Sequence, residues 1–139
     1  MKTTKLEKIK ACNEAIEWVE TQSDYKTAWQ NCNRGDWMLW LAQQLHIDKH
    51  KLTLAKGLTA KLVIHLMKDE RSINAVHIAI KYGNHQATDE ELKIAYAAAY
   101  AAAYAAADAY AAKTILKQSA DICREVLTEE IFNAYKLLR

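Results

Sequence analysis

Arg34, Asp36, Trp37 and Trp40 crowd a planar cation, a carboxylate and two indoles into one short segment, with Trp29 just upstream. A guanidinium can stack on an indole face and grip a carboxylate or phosphate through two parallel N–H donors, so these residue types at this spacing suit recognition of an anionic group. The segment equally suits a structural network in which Arg34 and Asp36 answer each other. Asp69-Glu70-Arg71 repeats the combination of carboxylate and guanidinium. Asp108 continues a tyrosine stripe at a position where an apolar side chain is expected, so it needs a partner or marks a site. The candidate binding residues are Arg34, Asp36, Trp37, Trp40, Asp69, Arg71 and Asp108, with Arg71 and tyrosine hydroxyls as the expected partners of Asp108.

Covalent chemistry has little support. Gly35, Gly57 and Gly83 are isolated, so the chain contains no nucleophile elbow, phosphate-binding loop or dinucleotide-binding glycine pattern. Glu14, Glu17 and Glu20 share a helix and read as a solvated face. His46 and His50 are four apart, but Ile47-Asp48 is expected to break the helix between them, and the helical H-E-x-x-H pattern of a zinc site is absent. His65 and His77 are expected at helix surfaces. Arg34-Gly35-Asp36 matches the tripeptide that integrins read, a match of low specificity in a chain that otherwise reads as cytoplasmic. A non-enzymatic binding role with no cofactor and no metal is the expectation.

These residues must be positioned by helices, because apolar residues recur at helical spacing and the alternation of strands is absent. Leu6, Ile9, Cys12, Ile16 and Val19 predict a first helix from Thr3 or Thr4 to about Thr21. Ser23-Asp24 caps a short second helix carrying Ala28, Trp29 and Cys32. Gly35 is expected to end it in the left-handed conformation, with Asp36 capping a third helix from Trp37 to about Leu45, and Trp37 or Trp40 largely buried against the first. Asp48 caps a fourth, with Leu54, Leu58, Leu62 and Leu66 along it and Gly57 marking the close approach of another backbone. A fifth carries Ile73, Val76 and Ile80 and stops at Gly83-Asn84. Thr88 and Glu91 form a capping box for the longest helix, in which Tyr96, Tyr100 and Tyr104 stack at four-residue spacing through an alanine tract. Thr128-Glu129-Glu130 is expected to start a short terminal helix. The fold class is all-α, a single-domain bundle over residues 1–139 of six or seven helices, with the Ala/Tyr-rich helix central between the fourth and fifth.

The chain has 139 residues, no proline and 51% hydrophobic residues, many of them alanine, so its core is expected to rest on close helix contacts. A formal net charge of +2 from interspersed signs argues against a nucleic-acid surface. Three cysteines far apart indicate neither a disulfide framework nor a zinc ribbon, and reduced, mostly buried thiols are expected. No apolar run approaches the roughly 18 residues of a membrane span, and the polar N-terminus does not lead into a signal sequence, so cytoplasmic residence is expected.

Taken in order, Ala11-Cys12-Asn13-Glu14-Ala15-Ile16-Glu17-Trp18, Ala28-Trp29, Arg34-Gly35-Asp36-Trp37-Met38-Leu39-Trp40-Leu41, Asp69-Glu70-Arg71-Ser72, the Ala/Tyr tract and Ala120-Asp121-Ile122-Cys123-Arg124 resemble an immunity-protein family. That family is similar to the fifth immunity-protein class of polymorphic toxin systems and has bacterial and phage-borne members. The resemblance covers nearly the whole chain, and Gly35-Asp36-Trp37 is its most specific part. It implies a small, all-helical, non-enzymatic intracellular protein that neutralises a toxin or effector by stoichiometric binding, with homo-oligomerisation compatible. The alternative from a different class is a phage anti-defence protein that sequesters a small, anionic, nucleotide-like signalling molecule.

Overall fold

The computed structural model describes residues 3–99 and 109–137. Among them are eight α-helices and no strand: α1 (Thr4–Lys8), α2 (Asn13–Glu20), α3 (Tyr25–Asn31), α4 (Gly35–Gln44), α5 (Lys49–Lys61), α6 (Glu70–Gly83), α7 (Asp89–Ala99) and α8 (Ala109–Leu137), with a 3₁₀ turn at Ile64–Leu66. The all-α expectation holds, and the helix count exceeds the expected six or seven.

Several starts follow from side-chain caps. The Asp24 carboxylate accepts from the Thr27 amide at 2.7 Å, that of Asp48 from Lys51 at 3.2 Å and that of Asp69 from Arg71 at 2.8 Å. Thr88 and Glu91 make the reciprocal capping box, each amide bonded to the other's side chain at 3.1 Å. The stops follow a pattern less visible in sequence. Lys10, His46 and His85 adopt positive φ, at 62°, 53° and 60°. Each closes a Schellman motif: the amide one residue on reaches back to Leu6, Ala42 or Lys81. The turn at Lys10 splits the expected first helix into α1 and α2.

No glycine has positive φ, so Gly35 is not the left-handed stop it was expected to be. It is the first residue of α4, and a Cβ there would lie 2.2 Å from Ser119 Oγ on α8. Gly83 is the last residue of α6, where a Cβ would lie 2.3 Å from Leu54 Cβ, while the turn itself is made by His85. Gly57 meets the expectation of close approach, with Ala79 Cβ and the Ile80 backbone nitrogen at 3.1 and 3.2 Å from its would-be Cβ. Ala42, Ala55 and Ala120 are fully buried, so alanine does let helices approach, although these are not the alanines of the low-complexity tract.

The central helix is α5, which lies between α6 and α8; α4 packs on α8, and α7 packs on α6. The expected long central Ala/Tyr helix falls largely on residues 100–108, outside those described. Within the described part, α7 packs on α6, buries Leu92 and Ala95, and leaves Ile94 and Tyr96 exposed. Tyr100, Tyr104 and Asp108 lie outside the described residues. The leucine row does not continue as one helix either: α5 tightens to i→i+3 bonds at Leu62 and Val63, and Leu66 ends exposed. The inward face of α6 is made of Ser72, Ala75, Val76, Ala79, Tyr82 and Gly83 rather than the isoleucines, which are half-buried.

At the other end α8 runs unbroken through Thr128, where a new helix was expected. The Thr128 hydroxyl donates to the Arg124 carbonyl one turn back and accepts from Trp29 Nε1 at 2.9 Å, so it joins α8 to α3 instead of capping. The main core fills the space between α3, α4, α5 and α8, from Trp29, Cys32 and Met38 to Cys123, Leu127 and Ile131; a smaller cluster of Ala79, Tyr82 and Leu92 lies between α6 and α7.

Candidate functional site: a tryptophan-lined groove

Gly35 brings the start of α4 against α8, and that contact fixes where Arg34, Asp36, Trp37 and Trp40 emerge. Arg34 donates from Nε and Nη2 to the two Asp36 oxygens at 2.9 and 2.8 Å, and its guanidinium lies 4.3 Å from the Trp37 ring centroid. Glu14 on α2 adds a longer ion pair at 3.6 Å. Asp36 was expected to be the N-cap of α4, but Arg34 occupies that position and Asp36 sits in the first turn. Its carboxylate still complements the helix N-terminus.

Burial pushes the Asp36 carboxyl up, and the Arg34 pair together with the Trp37 and Asp36 backbone amides more than offsets it, holding the carboxyl below its ordinary value. A lowered carboxyl favours the folded state above the unfolded-chain value of about 3.9 and loses that contribution as pH falls through the folded value. With the guanidinium removed and burial retained, Arg34→Ala is expected to move the Asp36 titration upward, read by side-chain ¹³C NMR; an unchanged midpoint would show that Arg34 does not hold the carboxylate.

Next to this clamp runs a groove of ≈790 Å³ whose lining includes all four tryptophans, Trp18, Trp29, Trp37 and Trp40. Trp18 tilts against Trp37 with ring centroids 6.2 Å apart, while Tyr25 meets Tyr135 at 5.0 Å at the far end. Trp37 and Trp40 are half-buried and line the groove, with Trp37 packed on Trp18 from the expected first helix; Trp29 is buried. The lining is predominantly apolar, with Lys10, Lys26, Asp24 and Asp36 as its charged members. Cations of the chain already sit on aromatic faces around it: Lys5 on Tyr135 at 4.7 Å and Lys26 on Phe132 at 5.4 Å.

The second charged group lies apart. Arg71 donates to Asp69 through Nε at 3.1 Å and Nη2 at 2.7 Å at the start of α6, and this pairing drops the Asp69 carboxyl to about 2. Among the described residues no hydrogen bond or ion pair joins Asp69 or Arg71 to Arg34 and Asp36. Neither Asp69 nor Arg71 lines the groove. His46 and His50 fall on separate elements, as expected; His50 stacks between Tyr82 at 4.3 Å and His85 at 4.2 Å. Tyr82 is buried, and its hydroxyl donates to Asp89 at 2.5 Å, a bond that leads the causes pushing the phenol up to about 12.

Sequence reasoning missed Arg124, which holds the groove wall in place. From α8 its Nη1 donates to the Trp29 carbonyl at 3.3 Å and to the Cys32 carbonyl, while Nη2 meets Asp121 at 2.6 Å. It thereby satisfies backbone acceptors at the C-terminal end of α3 that no helical amide can reach. Arg124→Ala is expected to lower stability by about 2 kcal/mol, as for hydrogen bonds to a charged group, through the denaturant midpoint; a loss under about 0.5 kcal/mol would remove it from this role. Trp18, Phe132 and Tyr135 were also missed as site residues, and the signal available for the last two was their i, i+3 spacing on one helix face.

No family model, no curated protein and no solved structure matches the chain. Among the described residues, no helix is long and apolar enough to cross a membrane, and no three His, Cys, Asp or Glu residues are grouped so as to hold a metal ion.

Proposed function

We propose that this chain is a non-enzymatic, cytoplasmic, immunity-type protein that neutralises a toxin or effector by stoichiometric binding, and that the tryptophan groove with the Arg34–Asp36 clamp at its edge is where the partner docks. The observation that carries this reading is the convergence of all four tryptophans on one groove. Tryptophan, tyrosine and arginine dominate the binding energy of protein interfaces because they combine large apolar area with a polar or charged group. The clamp offers a planar cation and an acceptor held in fixed geometry, but no nucleophile with a base beside it.

Sequestration of a small nucleotide-like molecule is the second reading, and the groove volume favours it, since ≈790 Å³ falls in the range of small-ligand sites. Against it, both candidate arginines are already paired bidentately with their own aspartates, leaving Lys10 and Lys26 as the cations on the groove wall. Native mass spectrometry of the protein taken directly from cells separates the two readings by the mass retained. The decisive test titrates a toxin encoded beside this chain: one-to-one inhibition supports the proposal. A toxin left fully active by equimolar protein, or relief by substoichiometric protein through turnover, overturns it.

A further inference from the structure

The groove has one wall that is held differently from the rest. Leu6, Ala15, Trp18 and Val19 of α1 and α2 face Trp37, Trp40, Met38 and Phe132 of α4 and α8 across it. Although α2 is eight residues long and carries apolar Ile16, Trp18 and Val19, none of its residues is buried, and α1 buries only Leu6. By contrast α4, α5 and α6 each bury three or more residues. Local opening free energy follows buried apolar contact, so these two helices form a unit that opens more readily than α4, α5 and α6.

Ties across the groove include the packing of half-buried Trp18 on Trp37 and the core, and two charged contacts that water screens: the 3.6 Å pair between Arg34 and a Glu14 side chain that is 75% exposed, and Lys5 over Tyr135. Within the unit the two helices hold each other, since Thr3 Oγ1 donates to Glu20 Oε1 at 3.1 Å and the Schellman turn at Lys10 fixes their junction. Its link to the bundle is the turn at residues 21–24, where Thr21, Ser23 and Asp24 are exposed. Beyond that turn α3 is anchored to α8 by Arg124 and by the Trp29–Thr128 bond.

We infer that α1 and α2 act together as a movable cover over the tryptophan groove, swinging about residues 21–24, so that access to the binding surface is governed by opening of this pair of helices. The inference rests on the groove being the binding site, yet its test needs no partner. In hydrogen–deuterium exchange of the full chain, amides of α1 and α2 should exchange together and at least about tenfold faster than those of α5 and α6. Trp18→Ala should speed exchange in α1 and α2 further and increase acrylamide quenching of the remaining tryptophans, with α5 and α6 unchanged. Glu14→Ala, on a solvent-facing side chain that cannot compromise the core, should act in the same direction more weakly. Equal protection of α1–α2 and α5–α6 in the native chain would overturn the proposal. So would acceleration of all helices in step in both variants. An opening cover on a chain that binds no toxin would instead count against the proposed function alone.

Discussion

Gly35→Ala is expected to destabilise the fold by about 3 kcal/mol, the upper end of the usual overpacking range, although only one methyl group is added. The new Cβ would lie 2.2 Å from Ser119 Oγ, 2.3 Å from Ser119 Cβ and 2.7 Å from the Ser119 backbone carbon. Ser119 cannot turn aside without loss, because its hydroxyl is bonded to Thr59 Oγ1 at 2.9 Å and the backbone contact would remain in any rotamer. Helix α4 must therefore lift from α8, taking Trp37 and Trp40 with it. Gly83→Ala belongs to the same class, with Leu54 Cβ and Cα at 2.3 and 2.8 Å. Gly57→Ala provides the contrast: its contacts of 3.1–3.2 Å ask for a few tenths of an ångström, and the roughly 1 kcal/mol gain in helix propensity opposes the strain. Urea midpoints at constant slope should rank Gly35→Ala and Gly83→Ala far below Gly57→Ala. A second substitution, Ser119→Gly, should return part of the loss in the Gly35→Ala background. If Gly35→Ala proves as mild as Gly57→Ala, the close contact of α4 and α8 is not what positions the site.

The glycines show which part of this fold a one-dimensional reading can reach. Caps are local, so Asp24, Asp48 and the Thr88–Glu91 box could be read from spacing alone. Gly57 could be read because a glycine inside a helix has a penalty that only a close neighbour explains. Gly35 was open to two physical meanings, a left-handed turn or a tight crossing, and the choice depends on Ser119, far away in sequence. The stops at Lys10, His46 and His85 were invisible for the opposite reason: residues far less suited than glycine to positive φ take it where Schellman hydrogen bonds close the helix end. The Ala/Tyr tract, expected to be central, falls largely on residues outside those described. Among the described helices the central place is taken by α5, whose small buried residues Thr53, Ala55 and Gly57 let neighbours approach. At the candidate site, Arg34, Asp36 and Trp37 could be grouped because they are adjacent. The groove could not, since Trp18, Phe132 and Tyr135 join it only through the packing of α2 and α8 around α4.

Trp40→Ala should weaken binding of the toxin at least about thirtyfold, the equivalent of about 2 kcal/mol, which is the threshold for residues that dominate an interface. Trp40 is the variant of choice among the four because it lines the groove, is half-buried, and takes no part in the Arg34–Trp37 stack or in the Trp29–Thr128 bond that hold the bundle together. Removing it therefore empties part of the binding surface while leaving the framework contacts in place. Arg34→Glu tests the clamp in the same titration: it puts a third carboxylate beside Asp36 and Glu14, and repulsion there should break the fixed geometry at the groove edge. Arg71→Glu separates two site boundaries. Among the described residues Arg71 pairs with Asp69 and does not line the groove, so weakened binding in this variant would extend the partner's footprint to the start of α6, and unchanged binding would confine it to the groove. Circular dichroism and the urea midpoint must stay near wild type for each variant to be read this way. With folding intact, Trp40→Ala binding as tightly as the wild type would remove the tryptophan groove from the interface.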